Sequence, residues 1–455
     1  QALKLSTCPK VTRTQSEYES FTMVRLACAF LLIGTGSGAS VNLKLSDSFL
    51  GKGSTEHPDL AHFAAFIQSH GRSYEVDSKE YKARFAAFQD RLAAVEAHNA
   101  RPDRLWSAAV NSLADWTPEE LRALRGYRHG AKASSSSSGV GLVGEQSAVH
   151  ALDVAGLPDD FTWQGRLNAM KDVQDQGGCG SCWAVASSTV LRAHAELYQS
   201  DRTFSTQQIV ACTPNPQQCG GTGGCGGSTA ELAMDYVAKA GLVTAEDMQY
   251  TASNGKCPTE MQLKLAPKEA APSLRSTPQR VMALSDMTIQ GGGGAKFGMT
   301  GWQKLPENKA EPLLLALYEH GPVAVSVAAG DGWSMYSSGV MDACEKEAVI
   351  NHAVVLTGYG KEGPHKYWQI QNSWGPGWGE GGFVRLLRHD MKEEDSYCGW
   401  DKSPEQGTAC KGGPSKVWVC GSCGVLYDSV VPKFTLGKDG WWARQGGRNI
   451  STTAV

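Results

Sequence analysis

The sequence predicts an α+β fold in which helical patterns come first and strands follow. Three observations predict it. Apolar residues recur at helical spacing between residues 60 and 126 and again after Cys182; β-branched runs crowd the chain beyond Gly321; and the regular strand–helix–strand alternation of a parallel sheet is missing. The chain has 455 residues, 41% of them hydrophobic and 13 of them tryptophan, enough for more than one domain and for a well-buried core. A formal net charge of −3 with no run of like charge gives no reason to expect a nucleic-acid partner or a charged binding tail.

The elements follow in order. The chain begins at Gln1, and Met23 opens "MVRLACAFLLIGTGSGAS", one basic residue, an apolar run and then small residues, as a signal peptide over 23–40 has. Residues 1–22 then read as a leader with no structural role, untranslated or disordered. The apolar run Leu26–Ile33 is too short to cross a membrane, and no later segment approaches that length. Over 60–126, Phe63, Phe66, Ile67 and His70 share one helical stripe, and Phe85, Phe88, Leu92, Val95 and Asn99 another. A Ser/Gly-rich linker at 127–156 holds five consecutive serines, which can bury nothing and should be open to proteases. Beyond Leu157, "WAVASSTVLRAHAELYQ" and "ENKAEPLLLALYEH" read as helices, while "PVAVSVAA", "HAVVLTGYG", "YWQIQNSW" and "GFVRLLRH" read as strands. "IQGGGGAKFGM" reads as a flexible loop and matches no phosphate-binding fingerprint.

Cysteine arithmetic then poses the chemical question. Of 13 cysteines, Cys8 and Cys28 precede the expected cleavage and the other 11 lie from Cys179 onward. In an oxidising compartment an odd number implies five disulfides and one free thiol. Cys179 and Cys182 form a C-x-x-C in "QDQGGCGSCWA". A redox pair would need a βαβ context; a zinc site would need a second pair, which Cys420 and Cys423 could supply; a disulfide could use both sulfurs. In the fourth reading Cys182 is a nucleophile. It sits where a helix begins, and the unpaired N–H groups there lower a thiol's pKa. Such a thiolate needs a cationic partner that can also protonate a leaving amine, and a histidine supplies both.

On these residues the chain resembles the papain-like cysteine peptidases, the cathepsin L-like group in particular. "QGGCGSCWA" is similar to their active-site stretch, "INHAVVLTGYG" to their histidine strand and "QIQNSWGPGWGEGGFVRL" to their asparagine segment, all in family order, and the resemblance covers roughly residues 60 to 432. It implies a papain-like two-subdomain fold, one half helical and the other β-barrel-like, with a cleft between them and a helical inhibitory propeptide ahead; the peptidase domain would span 157–432. It also implies roles. Cys182 attacks the peptide carbonyl, His352 holds it as a thiolate–imidazolium pair and protonates the leaving amine, Asn372 orients the imidazole, and Trp374 shields that bond and borders the substrate. Gln176 and the Cys182 N–H bind the oxyanion, and Gly226 and Gly227 face the substrate. Cys179–Cys225, Cys212–Cys257 and Cys344–Cys423 are the implied disulfides. Cys423 is preferred to Cys398 because the family's chain ends soon after a Tyr and a Pro at such spacing, which makes 391–420 an insertion. Cys219, Cys398, Cys410 and Cys420 form two more pairs of open connectivity, and Cys182 is left as the free thiol.

Residues 60–126 resemble the family's propeptide, with Glu80, Arg84, Phe88, Arg91, Val95 and Asn99 on its E-R-F-N-I-N spacing and Ala109, Asn111, Leu113 and Asp115 on its G-x-N-x-F-x-D stretch. Arg91, Val95, Ala109 and Leu113 depart from those patterns. The resemblance implies that this segment blocks the cleft until cleavage within 131–158, with Asp115 and the Glu80–Arg84 pair holding it at neutral pH. Ser228 stands where a second glycine is usual, Thr229 and Ala230 fall in the second specificity pocket, and Asp428 or Ser429 could be its floor. An insertion of about 30 residues after Cys257 accounts for the 170 residues between Cys182 and His352, more than the usual separation. No paired-histidine loop of the cathepsin B type appears, which favours endopeptidase action.

Protein and peptide substrates, the chain's own propeptide and cystatin-type inhibitors are the implied partners of a monomer that needs no cofactor or metal and binds neither nucleic acid nor membrane. The implied location is the secretory route, to a lysosome or vacuole or outside the cell. A catalytically silent homologue acting as a binding or storage protein would be expected to lose Cys182 or His352, and both are present. A cysteine-rich zinc module is the other rival. His194 reads as packing, His320 as a cation ending a helix, and His365 and His389 as loop residues. Residues 433–455, with the sequon Asn449-Ile450-Ser451, read as a loose tail.

Overall fold

The computed structural model describes residues 59–125, 154–259 and 293–444, all within one compact unit, Asp59–Val455. The leader, the signal peptide at 23–40, most of the 127–156 linker, most of the insertion after Cys257 and the sequon lie outside the described residues.

Helices lead, as the 3.6-residue periodicity requires. In the prosegment, α1 (Asp59–Ser69) and α2 (Lys79–Asn99) bury Phe63, Phe66 and Phe88 against one another. The Phe63 ring centroid lies 5.2 Å from those of Phe85 and Phe88, within the range aromatic pairs prefer. Ser78 starts α2 by accepting from the Tyr81 N–H. A short strand, β1 (Trp106–Ala108), precedes α3 (Pro118–Leu124). There Thr117 and Glu120 form a reciprocal capping box and Pro118 takes the first turn, where its missing N–H costs nothing.

Beyond the linker, β2 (Phe161–Thr162) leads to the helical half: α4 (Cys182–Tyr198), α5 (Thr206–Cys212) and α6 (Ala230–Ala240). α4 is buried on almost every face, because it packs on α5 and α6 on one side and on the sheet on the other. Thr229 caps the start of α6 and Gly241 (φ 78°) ends it.

The sheet half contains β3 (Met299–Lys304), α7 (Ala310–Glu319), β4 (Val323–Val327), α8 (Asp331–Met335), β5 (Tyr336–Met341), β6 (His352–Glu362), β7 (His365–Gln371) and β8 (Phe383–Arg388). After α9 (Met391–Glu394) comes a separate hairpin, β9 (Cys398–Asp401) and β10 (Val417–Cys420), and then β11 (Ser429–Phe434). The strand order is β1-β5-β8-β7-β6-β4-β11-β3, with β2 also on β6. β4 is buried along its whole length and β6 over its first nine residues, which explains continuous Val/Ala/Leu runs instead of alternation. The β-barrel-like closure implied by the resemblance is not present: the hydrogen-bonded path has two free ends, so this half is an open sheet among the described residues.

The prosegment contributes the first strand of that sheet. β1 pairs antiparallel with β5, Trp106 opposite Gly339, and covers an edge that would otherwise be bare. Gly339 has φ +97°, and a Cβ there would lie 2.8 Å from the Trp106 Cα, so a glycine is needed for the close approach.

Four readings differ from the structure. Residues 433–444 do not hang free: the Gly437 N–H donates to the Tyr198 carbonyl, and α10 (Trp441–Arg444) buries Trp442 against Trp163. His320 follows α7 as its C-cap, but burial and then the Lys433 charge pull its pKa down and so work against the cation the sequence suggests. His365 opens β7, and His389 Nδ1 donates to the Glu394 carboxylate at 2.6 Å while its ring stacks on Tyr397. In "IQGGGGAKFGM", Gly293–Phe297 forms a short 3-10 helix, with Phe297 packed on Phe204.

Candidate active site

Cys182 is the first residue of α4 and the free cysteine among the described residues. Ser181 precedes it without capping the helix, because its hydroxyl is 2.5 Å from the Tyr250 hydroxyl instead. The Cys182 and Trp183 N–H groups are therefore left to the site, while the Ala184 N–H donates to the Ser181 carbonyl. His352 is the first residue of β6, and Val327↔His352 register sets it beside β4. Asn372 directly follows β7, and its N–H donates to the Gly382 carbonyl. Adjacent β6 and β7 thus bring His352 and Asn372 to one end of the sheet: His352 Nε2 lies 2.8 Å from Asn372 Oδ1. An amide oxygen only accepts, so the imidazole carries its proton on Nε2. Nδ1 is buried without a hydrogen-bond partner and keeps its lone pair. Trp374 covers the ring at 5.0 Å between centroids, backed by Trp378 at 5.3 Å.

Cys182 and His352 line one cavity, together with Gly227, Ser228, Thr229, Ala230, Ser326 and Ala353. Gly227, with φ +90°, faces it; Gly226 is instead engaged with Thr222, whose N–H donates to its carbonyl. Neither Asp428 nor Ser429 lines the cavity: Asp428 lies behind Ser326, accepting from its hydroxyl at 2.7 Å and pairing with Lys304 at 3.3 Å. The half-buried Glu231 lies 3.7 Å from Lys304, its carboxyl pushed up to about 7 by desolvation and then by Asp428.

The end of the N-terminal segment reaches this cavity. Gln176, wholly buried, donates from Nε2 to the Leu124 carbonyl at 2.7 Å and to the Cys179 carbonyl at 2.8 Å, while its Oε1 accepts from Ser373 at 2.5 Å. Arg125 lines the same cavity as Cys182 and donates to the Ala329 and Leu121 carbonyls. Asn111 reaches the Ser334 carbonyl at 2.9 Å and Arg91 the Ser334 hydroxyl at 2.5 Å.

This occlusion reverses the expected electrostatics. Burial pushes the Cys182 thiol up to about 11, against the amides of Ala353, Trp183 and Cys182 itself, which favour the thiolate. Burial pulls His352 down to about 4, the Asn372 bond opposes this, and the Arg125 charge adds to it. With the prosegment in place, both groups are therefore neutral at pH 7. The helix-terminus effect expected to lower the thiol's pKa is present but loses to desolvation.

Disulfides join Cys179–Cys225, Cys212–Cys257, Cys344–Cys423, Cys219–Cys410 and Cys398–Cys420. Among the described residues no group of three or more His, Cys, Asp or Glu is arranged to hold a metal ion, and no helix is long and apolar enough to cross a membrane. Sequence reasoning missed Leu124, Arg125, Ser373 and Tyr250, which act through backbone or orienting contacts that leave no residue-type signature. His194 packs with Nε2 2.9 Å from the Pro322 carbonyl.

Residues 157–407 match the model of the family described as "Papain family cysteine protease", and residues 63–121 that of the "Cathepsin propeptide inhibitor domain". The chain is 30% identical to cysteine proteinase 1 of Zea mays over 72% of its length and 81% of that protein's, and 30% identical to the oryzain beta chain of Oryza sativa over 75% of its length. It spans 65% of the oryzain beta chain and 56% of a second rice relative, cysteine protease 1. Among solved structures, digestive procathepsin L 3 of Tenebrio molitor larval midgut shares the fold at a TM-score of 0.56 and 23% identity, covering 83% of this chain and all of that one. The proform of the ragweed pollen cysteine protease Amb a 11 has a TM-score of 0.53 at 25% identity, covering 83% of this chain and 94% of that one.

Proposed function

Because the chain belongs to the papain family of cysteine proteases and carries a cathepsin-type inhibitor prosegment, we propose that it is the zymogen of an endopeptidase in which Cys182, His352, Asn372 and Gln176 perform the chemistry. One observation carries this reading: an unpaired Cys182 shares a cavity with a histidine whose Nε2 is held by Asn372 and whose Nδ1 is left without a partner.

Once the prosegment leaves, water reaches the cleft and the desolvation that keeps the pair neutral is relieved. The Cys182 proton passes to His352 Nδ1, and the thiolate attacks the substrate carbonyl. A C–S bond forms and the carbonyl π electrons move to oxygen, where the Gln176 Nε2–H and the Cys182 N–H receive them. The C–N bond then breaks as His352 gives its proton to the leaving amine. Water, deprotonated by the same imidazole, cleaves the thioester and restores the thiol. In the zymogen the Gln176 donor is taken by the Leu124 carbonyl, which supports direct obstruction as the mode of self-inhibition.

The cavity lined by Ser228, Thr229, Ala230, Ser326 and Ala353 takes the side chain second before the scissile bond, with Gly227 presenting backbone to the substrate and Trp374 bordering the leaving side. We place activation cleavage in the 127–156 linker, the signal peptide at 23–40 and the peptidase domain over 157–432. Five disulfides support the secretory route, to a lysosome, a vacuole or the outside. Cystatin-type inhibitors and a monomeric state complete the reading.

An irreversible peptidyl epoxide, applied before and after acid processing, tests it. Labelling of Cys182 in the processed form, lost in His352→Ala, is the expected result. Folded, processed protein that takes no label would overturn it.

A further inference from the structure

The segment between β9 and β10 connects both walls of the cleft. On the helical side, Cys410 is bonded to Cys219, the Gly220 N–H donates to the Ala409 carbonyl at 3.0 Å, and the Lys411 N–H donates to the Gln217 carbonyl at 3.0 Å. On the sheet side, the Ile350 N–H donates to the Asp401 carboxylate at 3.0 Å. Gly407 lies where the walls meet. A Cβ on it would collide with the Ile350 carbonyl and stand 3.1 Å from the Asn351 Cα. A Cβ on Gly220 would lie 2.7 Å from the Gly407 carbonyl oxygen and 2.9 Å from that of Ser228. Gln406 and Gly407 line the same cavity as Cys182, His352, Ser228 and Ala230.

We propose that this strap, residues 402–413, is a specificity-determining wall that fixes the width of the pocket for the second substrate residue. The proposal rests on the peptidase reading and deepens it. A pocket between two lobes ordinarily adapts to a large side chain by letting the lobes separate. Here the helical wall comprises Gly220 and Ser228–Ala230 and the other wall Asn351–Ala353; the strap is bonded covalently to Cys219 and by a hydrogen bond to Gly220 on the first side, and Gly407 packs against Ile350 and Asn351 on the second. Widening the pocket would strain that segment, so a bulky residue meets the cost of overpacking. The substrate class is therefore peptides with a small aliphatic residue, alanine or valine, at the second position before the scissile bond. Gly407 has no side chain because one would push the strap off Ile350 and open the pocket.

The test uses enzyme processed from the full-length zymogen and fluorogenic peptides that differ only at the second position: alanine, valine, leucine or phenylalanine. The expected kcat/KM for valine exceeds that for phenylalanine by about tenfold or more. In Cys219→Ser/Cys410→Ser the ratio falls severalfold, phenylalanine gaining while valine is unchanged. Gly407→Ala shifts it in the same direction. A wild-type enzyme that prefers phenylalanine overturns the proposal without any variant, and so does a ratio that neither variant moves. Epoxide labelling of Cys182 separates the two levels. Labelled enzyme with the wrong ratio removes the strap's role alone; unlabelled, inactive enzyme removes the peptidase reading and this proposal with it.

Discussion

On the reading proposed above, Gln176 serves inhibition and catalysis through the same donor. Its Nε2–H donates to the Leu124 carbonyl, and its orientation is fixed from the other end by Ser373. In the proposed mechanism that donor faces an oxyanion, so Gln176→Ala should lower kcat by about 10²–10³-fold and leave KM little changed, measured by steady-state hydrolysis. The Cys182 thiol gives a second outcome. Its raised value, about 11, keeps it protonated throughout the neutral range while the prosegment is bound. Alkylation by iodoacetamide at pH 7 should be slow in the zymogen and climb only above pH 9; removal of the prosegment should raise the pH 7 rate by about tenfold or more. Equal rates in both forms would show that occlusion does not set the thiol's charge. Beneath the cavity, the half-buried Lys304 faces the buried Asp428 carboxylate and the half-buried Glu231. Lys304→Met strands them without a cation and should cost on the order of 3 kcal/mol by denaturant unfolding.

At the scale of elements, Asp115 ties the N-terminal segment together as the sequence suggests, while the main partner of Arg84 is one the sequence does not point to. Glu80 is four residues from Arg84 on α2, the obvious helical partner, yet it is largely exposed and 3.7 Å away. Arg84 instead makes two bonds to Glu120 on α3 and one to the Asp115 carbonyl. Asp115 takes Arg72 at 2.9 Å and Tyr74 at 2.5 Å. Burial pushes the Glu120 carboxyl up, but the Arg84 bonds and the Thr117 cap outweigh it and leave it below its ordinary 4.5. The sign follows: a depressed carboxylate stabilises the fold fully above its unfolded value, and that contribution is lost as pH falls through the depressed one. Acid should therefore loosen α2 from α3. In the inactive Cys182→Ala zymogen, amide hydrogen exchange over residues 79–99 should be faster at pH 4 than at pH 7 after correction for intrinsic rates. Glu120→Gln should raise the pH 7 rate and flatten the difference, because the neutral amide cannot titrate.

Across the whole molecule, what the sequence revealed depended on how local each constraint is. Cys182 at a helix start and His352 and Asn372 at the ends of neighbouring strands are legible because the proposed chemistry demands those residue types, and "NHAVV" and "QNSW" carry them at the start of β6 and the end of β7. The hairpin's cysteines were countable, but Cys219 meets Cys410 across 191 residues, a pairing that only the assembled cleft decides. The end of the chain was the least legible. "WWAR" is four residues between glycines, too short for periodicity, and its partner Trp163 lies far back in sequence. That contact has a consequence for stability. Trp442 is 3% exposed, its ring centroid is 5.7 Å from that of Trp163, and Trp163 in turn donates to the Leu317 carbonyl at 2.8 Å. α10 thereby fastens the start of the peptidase domain to α7 and to the end of α4, where Gly437 meets Tyr198. Trp442→Ala leaves a void the size of an indole beside a rigid aromatic wall, so it should destabilise the fold by about 3–5 kcal/mol and lower Tm by calorimetry. It should leave epoxide labelling of Cys182 intact below the transition, because that tryptophan lies outside the catalytic cavity. A change of less than 1 kcal/mol would mean that residues 433–444 behave as the loose tail the sequence suggested.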